Sequence, residues 1–509
     1  MFAKLYSASV NGIDGSLITT EVDVAQGLPQ IAIVGLPDTA IKEAKDRVRA
    51  AIKNSGFKFP VKRLTINLAP ADTKKEGSAF DLAIALGILA ANDVISQQRL
   101  QDFIILGELS LDGTIQPVKG ILSMILGVRE LNRAVLVPAA NAAEAAVVST
   151  APVYGLASLA QTVSFLNGEI TVKPHRKDIA REFEKYSRYE VDLADVKGQQ
   201  FVKRALEVAV AGNHNIILLG SPGSGKTMLA RRIPTIIPTL SIDEALETTK
   251  LYSISGLLAK NQALVATRPF RSPHHTTSDI ALVGGGSNPK PGEVSLAHNG
   301  ILFLDELPEF NRNVLESLRQ PLEDGYVSVS RAVKSVTFPS RFMLVCAMNP
   351  CPCGFFGHPT KECRCQPHRI EQYRSKISGP LLDRIDIHIE VPPVNYKELM
   401  DAPAAEPSAA VQKRVEACRS VQRERFRDSG IFANAYMSTR QLKKHCALDE
   451  PSKHLLRLAV DELGLSGRAY DKILKVARTI ADLAGAESIT QEHLAEAIQY
   501  RSLDRSIMH

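Results

Sequence analysis

A glycine-rich stretch directly after an apolar run is the feature that most constrains this chain. The run Asn215–Leu219 has the pattern of a buried strand. The residues that follow it are Gly220, Ser221, Pro222, Gly223, Ser224, Gly225, Lys226 and Thr227. Glycine lets successive backbone N–H groups converge on phosphate oxygens, and a helix that starts near Gly225 would add its positive end. Lys226 would neutralise β- and γ-phosphate charge and Thr227 would hold Mg²⁺, so the stretch predicts a site for ATP and Mg²⁺.

Polar residues follow the next two apolar runs. Gly300–Leu304 is followed by Asp305 and Glu306, and Arg341–Ala347 ends shortly before Asn349. Ligands bind at the carboxyl ends of parallel strands. Asp305 would bind Mg²⁺ through water, Glu306 would orient the attacking water, and Asn349 would touch that water or the γ-phosphate. The alternative interpretation of the acidic pair is a helix cap.

The order of these motifs resembles the core of AAA+ ATPases. A later segment, Gly379–Asp386, contains Arg384 on a predicted short helix. On that resemblance Arg384 is an arginine finger that reaches the γ-phosphate bound by a neighbouring subunit, and Arg468 is the arginine of the helical lid. The resemblance, not the spacing, implies a homo-hexameric ring. The alternative for Arg384 is an exposed or salt-bridged arginine, which contributes little.

Two inserts resemble the magnesium-chelatase-like branch of AAA+ proteins. They are Phe270–Asp279, continued by a run of glycines, and Leu322–Ala332. In that branch such inserts project hairpins into the central pore of the ring. The resemblance nominates Lys290, Arg331 and Lys334 for contacts with DNA phosphates, which need mobile cations on protruding loops. The alternative is a solvated charged face.

His274 and His275, within the first insert, have no assigned role. Core packing, an interface and DNA contact all stay open for them.

The N-terminal region resembles the protease domain of Lon. The matching segments are Ile66–Asp72 and Glu76–Leu82, and Ser78 falls where that family has its nucleophile. A Ser-Lys dyad needs a lysine to take the serine proton. Leu122 occupies the lysine position and Lys119 lies three residues earlier. We therefore expect a Lon-like fold without peptidase chemistry, and an active protease remains the alternative if the alignment is slipped.

Four of the seven cysteines are clustered in one short segment. They are Cys351, Cys353, Cys363 and Cys365, with His358 and His368 nearby. Four soft ligands in two pairs can close a tetrahedral site, so a structural Zn²⁺ is a further candidate cofactor. Reduced, metal-free cysteines are the alternative. The other three, Cys346, Cys418 and Cys446, are interpreted as buried or incidental thiols.

Composition adds little to these motifs. Lysine and arginine total 61 against 55 acidic residues, a net charge of +6 that is compatible with nucleic acid but not diagnostic. No run of about 20 apolar residues suggests a membrane span. The N-terminus lacks the basic-then-apolar pattern of a signal peptide. A cytoplasmic protein without a membrane partner is the expectation.

The chain as a whole resembles the YifB/ComM family, over nearly all of its 509 residues. The predicted fold class is α/β: a Lon-protease-like domain at 1–168, a linker at 169–188, an AAA+ domain at 189–400 with hairpin inserts, a hinge at 401–410 and a helical lid at 411–509. The resemblance implies an ATP-dependent hexameric DNA helicase or translocase for branch migration in homologous recombination during natural transformation. Single-stranded, double-stranded or branched DNA would occupy the pore. The alternatives are a magnesium-chelatase-type ATPase subunit and an ATP-dependent Lon-like protease.

Overall fold

The structure is a computed structural model that describes residues 1–71, 75, 77–259, 262–286, 289–331, 334–393 and 405–503. Glu76 of the serine motif and residues 401–404 of the predicted hinge lie outside the described residues. The side chains of Arg331 and Lys334 do so as well. Across the described part of the chain, no helix combines the length and the apolar character needed to cross a membrane.

Strands and helices alternate through the N-terminal and central regions, as the α/β prediction requires. The strands are β1 (Phe2–Asn11), β2 (Asp14–Ala25), β3 (Gln30–Val34), β4 (Arg63–Ala69), β5 (Phe103–Ile105), β6 (Glu108–Leu109), β7 (Ile115–Gln116), β8 (Ala134–Pro138), β9 (Val153–Leu156), β10 (Ile216–Leu219), β11 (Phe270–Arg271), β12 (Gly284–Gly285), β13 (Lys290–Pro291), β14 (Ile301–Leu304), β15 (Tyr326–Arg331), β16 (Lys334–Pro339), β17 (Met343–Met348) and β18 (Ile387–Glu390).

Helices dominate the C-terminal region. The helices of the chain are α1 (Thr39–Asn54), α2 (Asp81–Ala90), α3 (Gln97–Leu100), α4 (Ile121–Val128), α5 (Ala142–Val148), α6 (Leu159–Leu166), α7 (Ile179–Tyr186), α8 (Gln200–Gly212), α9 (Lys226–Ala230), α10 (Ile242–Ser255), α11 (Asp279–Val283), α12 (Glu293–Leu296), α13 (Arg312–Glu316), α14 (Arg319–Asp324), α15 (Pro367–Arg374), α16 (Gly379–Leu382), α17 (Ser408–Arg425), α18 (Thr439–His445), α19 (Glu450–Leu463), α20 (Gly467–Leu483) and α21 (Gln491–Gln499).

The chain divides into two compact units. One comprises Met1–Ser187 and Ile242–Ala266, and the other comprises Arg188–Ser241 and Thr267–His509. The segment Ile242–Ala266 joins the first unit through α10, where Lys250 lies 3.4 Å from Asp14. The segment expected to be a linker contains α7, and the domain boundaries from the sequence stay a prediction.

The first unit is built on a seven-stranded mixed sheet with the order β3-β4-β2-β1-β5-β8-β9. Helix α2 packs into its core, and all ten of its residues are buried. The core comes mainly from the inward faces of the strands and from α1 and α2.

The second unit contains a five-stranded parallel sheet with the order β11-β14-β17-β10-β18. Every residue of β10, β14 and β17 is buried, as continuous apolar runs require for strands covered on both faces. Since β17 lies between β14 and β10, the carboxyl ends of these three strands are neighbours. Helices α17, α18, α20 and α21 share the hydrophobic core of this sheet.

Candidate nucleotide site

The loop Gly220–Thr227 joins β10 to α9 along a path that needs glycine. Gly223 and Gly225 have φ angles of +82° and +89°, in the left-handed region that other residues rarely adopt. At Gly220 a Cβ atom would lie 2.5 Å from the carbonyl oxygen of Val391. These glycines allow the tight course of a phosphate-binding loop that ends in a helix N-terminus.

Lys226 lies inside this loop, with 8% of its surface exposed. Its Nζ donates hydrogen bonds to the carbonyl oxygens of Gly220, at 2.6 Å, and Ser221, at 3.0 Å. A third bond, of 3.2 Å, goes to Oδ1 of Asn349. Burial lowers the pKa of Lys226, while the charges of Asp305 and Glu306 act in the opposite direction. The ammonium group of Lys226 and the side-chain amide of Asn349 therefore lie together at the carboxyl ends of β10 and β17. This cluster is called the centre below.

Thr227 and Asp305 form the second half of this centre. The hydroxyl of Thr227 donates a 2.7 Å hydrogen bond to Oδ2 of Asp305. Oδ1 of Asp305 accepts a 3.0 Å bond from the backbone N–H of Glu306. A hydroxyl and a carboxylate are the hard oxygen donors that Mg²⁺ prefers next to phosphates. The pair therefore fits the Mg²⁺ expected here.

Glu306 stands at the edge of the centre with a half-exposed carboxylate. Its φ of +54° is left-handed, a conformation that costs a residue with a side chain about 1–2 kcal/mol. Such strain is often found at functional sites. Oε2 of Glu306 lies 3.3 Å from Nδ1 of His275. This contact gives one of the two unassigned histidines a position beside the predicted water-activating group.

The four clustered cysteines, here called the thiol cluster, have all four sulfur atoms within 4.8 Å of one another. The Cys351–Cys353, Cys353–Cys363 and Cys351–Cys363 sulfur distances are 3.3, 3.6 and 3.7 Å. A tetrahedral zinc with bonds of about 2.3 Å requires sulfur separations of about 3.8 Å. The backbone N–H of Phe355 contributes most to lowering the pKa of Cys353 to about 6. Although the backbone N–H of Cys365 acts in the opposite direction, burial and the neighbouring thiols raise the pKa of Cys363 to about 12. The donor set fits a structural zinc.

Neither histidine near the thiol cluster enlarges this set, and the other thiols are buried elsewhere. Nδ1 of His358 accepts backbone hydrogen bonds of 3.1 Å from Thr360 and Lys361. His368 lies exposed on α15. The remaining thiols Cys346, Cys418 and Cys446 are buried, as expected.

The loop that holds the thiol cluster packs directly on the phosphate loop. Gly354 has a φ of +82°, and a Cβ atom there would lie 2.4 Å from Cδ of Pro222. On its other side, the guanidinium of Arg374 lies over the ring of Phe356 at 5.3 Å and donates to the carbonyl oxygen of Pro350. The loop that holds the thiol cluster is thus in contact with the loop Gly220–Thr227.

Arg384 and Arg468 lie elsewhere in the same unit. Arg384 forms an ion pair with Glu323 and donates to the carbonyl oxygen of Pro380 at 2.5 Å. Arg468 lies 3.4 Å from Asp383. Both arginines line one cavity of about 380 Å³, and no residue of the loop Gly220–Thr227 is among its lining residues. Within one chain the structure does not bring these two arginines to Lys226, and their assigned roles stay predictions.

The three candidate DNA contacts occur on two hairpins. Lys290 is exposed in β13, where it pairs with Gly285 of β12. Arg331 and Lys334 are paired at the tip of the hairpin β15–β16. The hairpin predicted in the second insert is therefore present, and the positions of the Arg331 and Lys334 side chains lie outside what the structure describes.

The Ser78 region has different surroundings. The hydroxyl of Ser78 donates to the carboxylate of Glu108. Leu122 is buried in α4. The side chain of Lys119 lies along Gly256, where a Cβ atom would come within 3.0 Å of its Nζ. The hydrogen-bond partner of Ser78 is thus a carboxylate, and the two residues weighed for the role of base contact other groups.

Several residues at the site carry no motif that would have identified them. Gln199, in the left-handed conformation before α8, donates to the carbonyl oxygen of Ser224 at 2.8 Å. The hydroxyl of Tyr373 accepts from the backbone N–H of Asn349, while burial raises the pKa of that hydroxyl. Together with His275 and Gly354, these residues reach the site from loops and helices distant in sequence. Only a three-dimensional arrangement could reveal them.

Comparison with known families agrees with this geometry. The family model described as Magnesium chelatase, subunit ChlI matches residues 192–399, which contain the nucleotide site. The model described as Subunit ChlI of Mg-chelatase matches residues 20–141. The model of the ChlI C-terminal region matches residues 405–501. Each match falls on a region already distinct in the fold.

Individual relatives extend the match to the whole chain. The competence protein ComM of Haemophilus influenzae is 45% identical over 99% of this chain and 98% of its own length. The YifB protein of Salmonella typhimurium is 43% identical over 100% of this chain and 98% of its own length. The chloroplastic magnesium-chelatase subunit ChlI of Nicotiana tabacum is 23% identical over 60% of this chain and 71% of its own length. The chain belongs to the YifB/ComM family of ATPases, whose domains are those of magnesium-chelatase subunit ChlI.

Proposed function

We propose that this chain is an ATP-driven DNA helicase or translocase that works as a homo-hexameric ring and promotes branch migration during homologous recombination in natural transformation. The observation that carries the proposal is the division of the site. At one edge of the parallel sheet, Lys226 is hydrogen-bonded to Asn349 and Thr227 is hydrogen-bonded to Asp305. Arg384 lies at a separate cavity. In this proposal Arg384 therefore completes the site of a neighbouring subunit.

Each residue at the sheet edge has a defined task in this proposal. The backbone of Gly220–Thr227 and the Nζ of Lys226 hold the phosphates, and Glu306 orients the attacking water. Asn349, bonded to Lys226, detects the γ-phosphate. Mg²⁺, held by Thr227 and Asp305, supplies charge neutralisation when it is bound. Positioning and charge stabilisation, rather than covalent chemistry, account for most catalysis of phosphoryl transfer.

DNA as the substrate is supported by the hairpins and by the relative. Lys290 is exposed on one hairpin, and Arg331 and Lys334 are paired at the tip of another. Cations at hairpin tips can follow a phosphate backbone without reading sequence. The relative from Haemophilus influenzae is named a competence protein, which supports a role in the uptake or integration of DNA.

We also propose that the thiol cluster binds one structural Zn²⁺. The distances between the four sulfur atoms support this assignment. Metal analysis of the purified protein should find one zinc per chain, and Cys351→Ser with Cys363→Ser should lose it. Metal-free protein with four titratable thiols would contradict the assignment.

Strand displacement and branch migration on a three-stranded DNA substrate test the main proposal. Wild-type protein with ATP should move the branch, and Lys226→Ala should not. Intact ATP hydrolysis without any DNA remodelling would refute the DNA proposal and leave the ATPase. In that event Mg²⁺ insertion into a porphyrin, the work of a chelatase ATPase with its partner subunits, becomes the next assay.

A further inference from the structure

The guanidinium of Arg384 lies in the cavity of about 380 Å³ rather than on the open surface. Its side chain is only 11% exposed. One terminal nitrogen is paired with the carboxylate of Glu323, and the other donates to the carbonyl oxygen of Pro380. Nε is buried and has no hydrogen-bond partner within the described part of the chain. The two nitrogens that would form a fork on a phosphate are thus already engaged.

The cavity lies at the edge of the parallel sheet opposite the phosphate loop. Its lining residues Asn215, Phe342 and Asp386 directly precede β10, β17 and β18, so it is found at the amino ends of these strands. The loop Gly220–Thr227 follows β10 at its carboxyl end. At about 3.3 Å per residue, the four residues of β10 separate the two edges by about 13 Å. Release of Arg384 from its ion pair would therefore not bring it to the phosphate loop of its own chain.

The backbone of Arg384 is fixed to the sheet. The side-chain amide of Asn215 donates a 2.9 Å hydrogen bond to the carbonyl oxygen of Arg384. The amide oxygen of Asn215 accepts a 2.8 Å bond from the backbone N–H of Leu344 in β17. The backbone N–H of Arg384 donates to the carbonyl oxygen of Leu381 at 2.9 Å. A change in the contacts of Arg384 can therefore be confined to its side chain, which is paired with Glu323.

Glu323 is suited to a contact that has to open. It lies near the end of α14, and its side chain is 57% exposed. Water and salt weaken an ion pair with such an exposed carboxylate. Separating the pair therefore costs a factor of only about two to five in an equilibrium constant. Glu323 can retain the guanidinium of Arg384 without locking it in place.

From this arrangement we infer that Glu323 is a positioning residue that retains Arg384 inside the cavity until a neighbouring subunit presents ATP. The inference rests on the proposed function, because there Arg384 completes the site of a neighbouring subunit. A γ-phosphate carries more negative charge than one carboxylate, so it displaces Glu323 from the guanidinium. Each turnover includes the separation of this ion pair. A subunit without an ATP-bound neighbour keeps its arginine withdrawn.

The test uses full-length chains in mixed rings, in which only one kind of interface can hydrolyse ATP. The Lys226→Ala chain supplies Arg384 but lacks a working phosphate loop, and the Arg384→Ala chain has the loop but no arginine to supply. Steady-state ATP turnover of this mixture is the reference. Glu323→Gln added to the Lys226→Ala chain should raise that turnover by about two- to fivefold, because the ion pair no longer has to be broken.

The same substitution in the other chain is the first control. Glu323→Gln added to the Arg384→Ala chain should leave turnover at the reference value, because that chain has no Arg384 to retain. Asp324→Asn is the second control, added to the Lys226→Ala chain. It removes a neighbouring carboxylate from the same cavity but keeps Glu323, so turnover should again match the reference.

The mixed rings also separate failure of the inference from failure of the proposed function. A reference mixture without turnover, in rings shown to exchange subunits, would refute the shared site and the inference with it. With an active reference, unchanged or lower turnover after Glu323→Gln in the Lys226→Ala chain would overturn the inference alone. An equal rise from Glu323→Gln in either chain, or from Asp324→Asn, would also overturn it, because the effect would then not depend on Arg384.

Discussion

The phosphate loop around Lys226 and the serine loop around Ser78 both lie between a strand and a helix, but their surroundings differ. Lys226 is linked to Asn349, and Thr227 is linked to Asp305. Ser78 is bonded to Glu108, and Leu122, which the resemblance to Lon aligns with the catalytic lysine, is buried. A motif residue becomes chemically competent only when neighbouring elements supply its partners.

The two loops also differ in what supports them from behind. The loop that holds the thiol cluster packs on the phosphate loop at Pro222. Gln199 donates a hydrogen bond to the carbonyl oxygen of Ser224. The serine loop is followed by Asp81, which pairs with Arg47. Burial, the largest contribution, raises the pKa of Asp81 to about 6. The first loop surrounds the ammonium group of Lys226, whereas the second lies beside the Glu108 carboxylate and the Arg47–Asp81 ion pair.

The largest expected effect concerns Arg384, the residue that we propose a neighbouring subunit supplies to the nucleotide site. Arg384→Ala should spare ATP binding and lower turnover by about 10³–10⁵-fold, since an arginine finger acts on transition-state charge. Nucleotide affinity of the same variant, measured by fluorescence, serves as the control. Normal hydrolysis by Arg384→Ala would contradict the proposal of a shared site, because the active site would then function without Arg384.

Gly354→Ala should produce a smaller effect on nucleotide binding. Its Cβ would meet Cδ of Pro222 at 2.4 Å and push on the phosphate loop. We expect about tenfold weaker ATP binding, which corresponds to about 1.4 kcal/mol. Gly357→Ala is the matched control: its φ of +75° brings similar backbone strain, but nothing lies within 4 Å of the added Cβ. Equal affinities for the two variants would show that the thiol loop does not support the site.

The two units should respond to pH in opposite directions. In the second unit, burial lowers the pKa of His214. Although burial opposes it, the charge of Lys472 and the bond to His214 keep the pKa of Asp386 well below its usual range. Because the folded state lowers the pKa of these groups, the unit that contains them becomes less stable as pH falls. In the first unit the pKa of Asp81 is raised to about 6, so the pH dependence is reversed. The contribution of Asp81 to the free energy of unfolding is lost as pH rises through that value.

Hydrogen exchange at pH 7 and pH 5 separates the contributions of His214 and Asp81, because the contribution of Asp386 is lost only in more acidic solution. Acidification should weaken protection in α8 and α20 and strengthen it in α2, by at most about 1.4 kcal/mol per pH unit for each group. His214→Gln should flatten the response of the second unit only. Parallel responses of the two units would contradict the assignment of opposite contributions to His214 and Asp81.

For substitution of Ser78 we expect no effect on ATP turnover. Ser78→Ala should leave ATP turnover unchanged, because Ser78 has no part in the nucleotide site. Casein should remain intact with both wild type and variant, since a carboxylate partner does not make serine a nucleophile. Casein cleavage that Ser78→Ala abolishes would reverse the interpretation of the first unit.

The sheet of the second unit could be predicted because its signals are local. Continuous apolar runs identified β10, β14 and β17, and polar residues at their ends identified the edge where Lys226, Asp305 and Asn349 meet. A parallel sheet converts strand ends into neighbours, so a one-dimensional pattern specifies a three-dimensional cluster.

Contacts that depend on loop packing could not be predicted in this way. His275 reaches Glu306 from a loop without periodicity, and Gly354 meets Pro222 across a long sequence separation. The attachment of Ile242–Ala266 to the first unit depends on which surface α10 meets, and its own sequence does not reveal that. Close packing of particular side chains decides such contacts, and no local propensity encodes it.

The most direct test of the divided site mixes two inactive variants. Lys226→Ala keeps Arg384, and Arg384→Ala keeps the phosphate loop, so a ring assembled from both contains interfaces with both halves intact. ATP turnover of the mixture should rise well above that of either variant alone, toward about a quarter of the wild-type value if subunits mix at random and interfaces act independently. A mixture no more active than its components, in rings shown to exchange subunits, would contradict the proposal that neighbouring chains share the site.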